Sequence, residues 1–170
     1  GFVMEKRMLN PTEIASEVIT TYEAKANYAP LKSLILGVLS GMFIALGGFA
    51  SATASHSITN YSISKLIAGA VFPVGLILVI ITGTDLFTGN VLLTVPLLHK
   101  KITFKQLIKN WVIVYFANMA GAIIVSLLLF YGGSLDVNHG ALGAYSIKVA
   151  YTKSSLPFIK SFLSGILCNI

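Results

Sequence analysis

Charge is what this chain has least of. Only 11% of its 170 residues are Asp, Glu, Lys or Arg, while 55% are hydrophobic; a soluble domain carries about 25% charged residues. Acids are scarcer than bases, 6 against 12, and the net charge is +6. In a soluble protein that balance would point to nucleic acid. Here the lysines sit between apolar runs, so topology accounts for them and no nucleic-acid partner is expected. The single cysteine, Cys168, lies in an apolar run. One thiol forms neither an intramolecular disulfide nor a thiolate metal cluster, and it reads as a small buried residue. No nucleophile–base pair, metal-ligand cluster or phosphate loop is present, which argues against an enzyme and against a bound cofactor or metal.

What the chain has in quantity is long apolar runs, with a mean hydropathy of +0.83. They make it an all-α integral membrane protein. In the run from Leu66 to Leu98, Asp85 is the only formally charged residue. As one helix the run would reach about 50 Å, against roughly 30 Å of bilayer hydrocarbon. Tilt absorbs part of such an excess. The stretch Gly83-Thr84-Asp85-Leu86-Phe87-Thr88-Gly89-Asn90 predicts a break instead. Polar backbone freed at membrane depth must be buried in protein or line a watery cavity. Transport proteins place their sites at such broken helices. The octapeptide is therefore the candidate site, with a conduction path beside it.

Taken from the start, Gly1-Phe2-Val3 stand ahead of Met4 and read as a remnant before the natural start. Glu5-Lys6-Arg7 lead into a polar segment, not the short apolar core of a signal peptide. Asn10-Pro11-Thr12-Glu13 reads as a helix start, with Asn10 as cap, Pro11 at the first position and Glu13 three residues on. Ile14, Val18 and Tyr22 fall four apart. They predict an amphipathic helix within residues 1–29, on the membrane surface or under the bundle.

The first transmembrane repeat covers residues 30–132. Its first span, about 31–55, is dense in small residues, and Gly37 and Gly41 form a GxxxG that lets helices approach closely. His56 follows as an exposed loop histidine. The second span runs from about 64 to 98, broken at 83–90, with Pro73 in its first half and Pro96 near its end. The third, 104–131, has Trp111 and Tyr131 placed for the two interfaces. Ala117 and Gly121 give it a small-residue face, and its one central amide, Asn118, is expected to bond between helices. Residues 133–154 form a polar extracytoplasmic link, and 155–170 open a fourth span.

Orientation follows from the bases. Lys6, Arg7, Lys25, Lys32, Lys100, Lys101, Lys105 and Lys109 fall on one side; Lys65, Lys148, Lys153 and Lys160 fall on the other. The richer side, with the N-terminus, is expected to be cytoplasmic. Lys32-Ser33-Leu34-Ile35-Leu36-Gly37-Val38-Leu39 also aligns with Lys160-Ser161-Phe162-Leu163-Ser164-Gly165-Ile166-Leu167. A repeat unit of three spans must have its copy upside down in the membrane, and inverted repeats hold the substrate site at their interface. The chain then carries one repeat and the start of the next, a fragment of a six-span protein.

Phe72-Pro73-Val74-Gly75-Leu76 followed by Thr82-Gly83-Thr84-Asp85-Leu86-Phe87-Thr88-Gly89-Asn90 resembles the formate/nitrite transporter family. So do Lys109-Asn110-Trp111, Val114-Tyr115-Phe116-Ala117-Asn118, Gly121-Ala122, Lys148-Val149-Ala150 and Gly165-Ile166-Leu167-Cys168-Asn169. The resemblance runs from the amphipathic helix to the end, and is nearest to the family's hydrosulfide-conducting branch. It implies an aquaporin-like fold with inverted three-helix repeats, in a homopentamer of the cell membrane whose protomers each conduct small anions: hydrosulfide, formate and nitrite. By match, Leu86 and Phe87 belong to the apolar constriction and Thr88 to the pore centre. Lys148 matches the family's buried lysine beside the pore. Asn169 matches an asparagine near a central histidine on the fifth span. None of His56, His99 and His139 matches that histidine.

From the residues alone, several roles stay open. An anion in a dry constriction carries a large desolvation cost, which a lysine at the mouth and the positive end of the half-helix after the break would lower. Thr88 and Asn90 are either pore donors or caps of that half-helix. Leu86 and Phe87 suit packing as well as a constriction, and Lys148 suits a surface loop. Asp85 is expected to bond loop amides or a neighbouring helix. Two competing readings are a cation or metal-ion channel using Asp85, and a non-conducting membrane scaffold built on the small-residue faces.

Overall fold

The computed structural model describes residues 8–168, and every regular element among them is helical. Helix α1 spans Pro11–Ala26, and its start is the one read from the sequence. Asn10 Oδ1 accepts from the Glu13 amide at 2.9 Å, and Glu13 Oε2 accepts from the Asn10 amide at 2.8 Å. These reciprocal bonds satisfy two donors that a helix end leaves without partners.

Helix α2, Pro30–Ser55, is the central helix, packed against α3 (Tyr61–Val71), α4 (Pro73–Thr82) and α6 (Phe104–Tyr131). Its closest neighbour is α6, and glycine is the reason. A Cβ on Gly41 would collide with the Asn118 backbone, and one on Gly121 with the Val38 carbonyl. At Gly37 it would fall 2.6 Å from the Ala117 side chain. The GxxxG of α2 and the Ala117/Gly121 face of α6 thus form one interface, where close backbone approach replaces the missing hydrophobic drive.

Three helical stretches are long and apolar enough to cross a membrane: Pro30–Ser55, Tyr61–Thr82 and Phe104–Tyr131. This is a multi-pass membrane protein. The second stretch is interrupted at Phe72, because Pro73 has no amide to continue the ladder. It ends at Gly83, whose φ of 65° lies in the left-handed region. The Gly83 and Thr84 amides turn back to the Ile80 and Val79 carbonyls at 3.2 Å each. Glycine is required there because a Cβ disfavours that conformation.

Beyond the break, Gly89–Leu93 forms a 3-10 turn and only Thr94–Leu98 (α5) returns to α-helix. The chain then enters α6 through a second capping box, Thr103 with Gln106. Helix α1 lies under this region. Its Ala26 is buried with Leu93, Ile102 and Leu107, and Tyr22, Leu97 and Trp111 pack around them.

The link at 133–154 is mostly helical: α7 covers Ala141–Ser154, after a short 3-10 turn at Ser134–Asp136. Leu142 is fully buried and anchors it. His56, expected to be exposed, is half-buried, with Nδ1 2.9 Å from the Thr53 carbonyl and Nε2 3.4 Å from Asn138 Nδ2. Helix α8, Phe158–Cys168, places Lys160 third in its helix, as Lys32 is third in α2. The aligned lysines therefore fall at the same position along their own helices.

Candidate functional site

Residues 84–88 lie outside the regular helices, and protein groups take up several of their backbone donors and acceptors. The Asp85 amide donates to the Leu36 carbonyl of α2 at 3.3 Å. Asn118 supplies two more partners to the loop. Its Oδ1 accepts from the Phe87 amide at 2.8 Å, and its Nδ2 donates to the Asp85 carbonyl at 2.9 Å and to the Gly37 carbonyl at 2.8 Å. One amide thus ties the loop to both α2 and α6. That is how unwound backbone is tolerated inside a bilayer.

The Asp85 side chain is fully buried and pairs with Lys25 of α1, Nζ to Oδ1 2.7 Å. Its Oδ2 makes no hydrogen bond among the described residues. An isolated buried carboxylate is costly, and a close cation offsets that cost. The partner lies on the amphipathic helix, not in the loop's own amides. Lys25 is the residue that sequence reasoning missed. A lone acid in an apolar span is a demand for a cation, but three links hold lysines and the sequence does not say which one folds back.

A cavity of about 700 Å³ adjoins the loop, lined by Tyr22 and Lys25 of α1, Leu76 and Ile80 of α4, and Leu86 and Thr88 among the loop residues. Of the three residues assigned to the constriction, Leu86 and Thr88 face this cavity. Phe87 is half-buried elsewhere, with its ring edge-on to Trp111 (centroids 6.1 Å, 67°) and Tyr115 (5.4 Å, 76°).

Neither expected cap of the second half-helix is made. Thr88 has helical dihedrals (φ −63°, ψ −35°) and makes no side-chain cap bond, whereas a capping residue is typically extended. Asn90 lies inside the 3-10 turn and donates from Nδ2 to Asn110 Oδ1 at 2.9 Å. Its carbonyl accepts from Trp111 Nε1 at 2.9 Å. Trp111 is therefore half-buried against the loop, its N–H held by a protein acceptor. The 3-10 start also weakens the helix-end dipole foreseen for the anion. Lys25 lines the cavity, with its charge paired to Asp85.

Lys148 is exposed on α7, in a different cavity of about 490 Å³ that it lines with His56, Tyr61, Lys65, Tyr145 and Lys153. The structure does not bring Lys148 to the loop; the two stand at separate cavities. Asn169 lies outside the described residues. Among the described residues no three His, Cys, Asp or Glu side chains gather to hold a metal ion. Asp85 is buried and paired with Lys25, and it does not line the cavity beside the loop.

A multi-pass helical protein whose second span breaks into a protein-anchored loop beside a cavity has the form of a channel or transporter with a discontinuous helix. Residues 12–170 match the family model described as "Formate/nitrite transporter", and the chain belongs to the formate/nitrite transporter family. It is 34% identical over 165 residues to the formate channel FocA of Escherichia coli K12, covering 96% of this chain and 58% of that protein. It is 35% identical over 162 residues to the formate channel BtFdhC of Bacillus thuringiensis, covering 94% and 62%. Among solved structures it is similar to a pentameric formate channel with formate bound, with TM-score 0.72, 30% identity, and coverage of 82% of this chain and 56% of that one. An ion channel of the same family gives TM-score 0.76 at 26% identity, covering 86% and 59%. The chain spans about six tenths of the length of these relatives.

Proposed function

We propose that this chain forms one wall of a pore for small monovalent anions and their conjugate acids, within a homopentamer of the cell membrane. In this reading the N-terminus is cytoplasmic. The observation that carries it is the broken second span: the loop at 83–90 is tied to α2 and α6 through Asn118 and the Leu36 carbonyl while Leu86 and Thr88 turn to a cavity that also receives Lys25. Formate is the first substrate on this reading, supported by relatives named as formate channels. Hydrosulfide is the second, supported by the resemblance in the sequence motifs, and nitrite the third.

The physics follows the dehydration cost. An anion entering an apolar constriction loses hydration worth many kcal/mol. Lys148 at one mouth lowers the cost of approach without requiring deep burial of a bare ion, while the charge of Lys25 at the cavity beside the loop is balanced by Asp85. Leu86 at the cavity forms the dry step and Thr88 stands at its edge; Phe87, assigned to the same step by the resemblance, packs beside them on Trp111 and Tyr115. A weak acid crosses such a step most cheaply as its neutral form, taking up a proton before the constriction and returning it after. Formate and hydrosulfide suit this; chloride does not.

Vesicles containing the full-length protein should pass formate and hydrosulfide faster than chloride, with the advantage growing as pH falls. Anion flux should drop when Lys148 becomes Glu. Flux that follows cation gradients, or vesicles that conduct none of these anions, would overturn the reading.

A further inference from the structure

We infer that Tyr22 of α1 is a solute-contacting residue, whose hydroxyl joins that of Thr88 to favour anions with two acceptor oxygens over hydrosulfide. This rests on the proposed reading of the cavity beside the loop as part of the pore, and says which anions that cavity selects.

Tyr22 ends the stripe of Ile14, Val18 and Tyr22 on α1, and it alone of the three has a polar tip. A tyrosine ring suits an apolar cluster while its O–H still seeks a hydrogen-bond partner. Here the ring packs against the cluster of Ala26, Leu93, Ile102 and Leu107. The hydroxyl oxygen stands 3.8 Å from where a Cβ on Gly89 would lie. Gly89 follows Thr88 in the loop, and Tyr22, Thr88 and Gly89 all line the cavity of about 700 Å³.

The cavity's other polar side chains have partners inside the protein. Thr21 donates to Glu17 Oε1 at 3.3 Å, Thr84 to the Val79 carbonyl at 3.5 Å, and Asn90 Nδ2 to Asn110 Oδ1 at 2.9 Å. The charge of Lys25 is taken by Asp85. Among the described residues, the hydroxyls of Tyr22 and Thr88 make no hydrogen bond. The cavity therefore offers a solute two neutral donors, one on α1 and one on the loop, while its one charged lining residue is already paired.

Formate and nitrite each have two oxygens and can accept from both hydroxyls. Sulfur is a weak acceptor, so hydrosulfide gains little from either. Neutral donors also hold an anion loosely enough to let it leave, as conduction requires.

The test measures formate, nitrite and hydrosulfide flux in vesicles carrying the full-length protein, for the parent, Tyr22→Phe and Tyr22→Leu. Tyr22→Phe keeps the ring in its cluster and facing Lys25 Nζ, which lies 5.3 Å from the ring centroid, and removes only the hydroxyl. The formate-to-hydrosulfide and nitrite-to-hydrosulfide ratios should each fall about 10-fold, the worth of one hydrogen bond to a charged group. Tyr22→Leu should move both ratios the same way, and it carries the test alone if Tyr22→Phe does not fold. Ratios that stay at the parental value overturn the inference and leave the pore reading standing. So do fluxes of all three anions that fall together, which would make Tyr22 a packing residue only. If vesicles carrying the parent conduct none of the three, the pore reading falls. Saturation transfer from the detergent-solubilised protein to the formate proton then decides the Tyr22 contact by itself. A signal present in the parent and lost in Tyr22→Phe supports the contact; a signal retained in the variant, or absent from the parent, overturns it.

Discussion

Lys25 Nζ lies 2.7 Å from Asp85 Oδ1, so the amphipathic helix neutralises the one acid in the broken span. The pair joins two segments 60 residues apart in sequence (85 − 25) and fixes α1 beneath the loop. It also explains why the loop tolerates a carboxylate beside a proposed anion path: the charge is spent on a structural partner.

Breaking that pair from one side should be costly. Lys25→Met leaves Asp85 buried without a cation and should destabilise the protein by about 3–5 kcal/mol, the range for an uncompensated buried charge. The double variant Lys25→Met/Asp85→Asn should recover most of the loss. Thermal unfolding of the detergent-solubilised protein measures both, and equal stability of the single and double variants would contradict the pairing.

Asn118 is the loop's principal clamp, with three hydrogen bonds to main-chain groups of α2 and the loop. Asn118→Leu should cost about 2–4 kcal/mol, since it strands one amide and two carbonyls away from water. Asn118→Asp should be no milder. It keeps the acceptor for Phe87 but turns a carboxylate toward the Gly37 and Asp85 carbonyls. Loss of anion flux, together with new protease cleavage near residue 85, would report the released loop.

The interface of α2 with α6 allows no added atoms at Gly41 and Gly121. Gly41→Ala should therefore separate the helices, at a cost of about 1–3 kcal/mol for overpacking. Gly121→Val should be worse because its branched Cβ meets the Val38 carbonyl. The check is the yield of monodisperse protein on size exclusion, which should fall in that order.

Lys148 acts, in the proposed mechanism, on the approach of the anion. Its effect should therefore be sensitive to salt. Lys148→Gln should slow formate uptake at low ionic strength, and the difference from the parent should shrink near 0.5 M salt, where the Debye length falls to roughly 4 Å. Initial rates in vesicles at two salt concentrations measure this. A deficit independent of salt would show that Lys148 acts by contact instead.

Much of the architecture was legible because membrane insertion leaves few alternatives. Apolar run lengths gave the three membrane-length helices, and Asn10, Pro11 and Glu13 marked the start of α1. The excess length of Leu66–Leu98 located the break, and the small residues at 37, 41, 117 and 121 gave the tightest interface. Each rests on a local rule: helix rise, capping stereochemistry, the absence of a Cβ.

Partnerships across the chain were not legible, because pairing between distant segments is decided by how helices dock. Asp85 needed a cation, and only the fold chose Lys25 over lysines in the other links. The sequence placed Trp111 near one end of its span, and only packing gave its N–H the Asn90 carbonyl. Thr88 and Asn90 were each open between cap and pore donor; in the fold Thr88 lines the cavity and the Asn90 amide goes to Asn110. The sequence by itself determined that this is a membrane protein whose second span must break. Only the tertiary structure decided what holds the break in place, because the partners of a buried polar group are set by which helices pack against it.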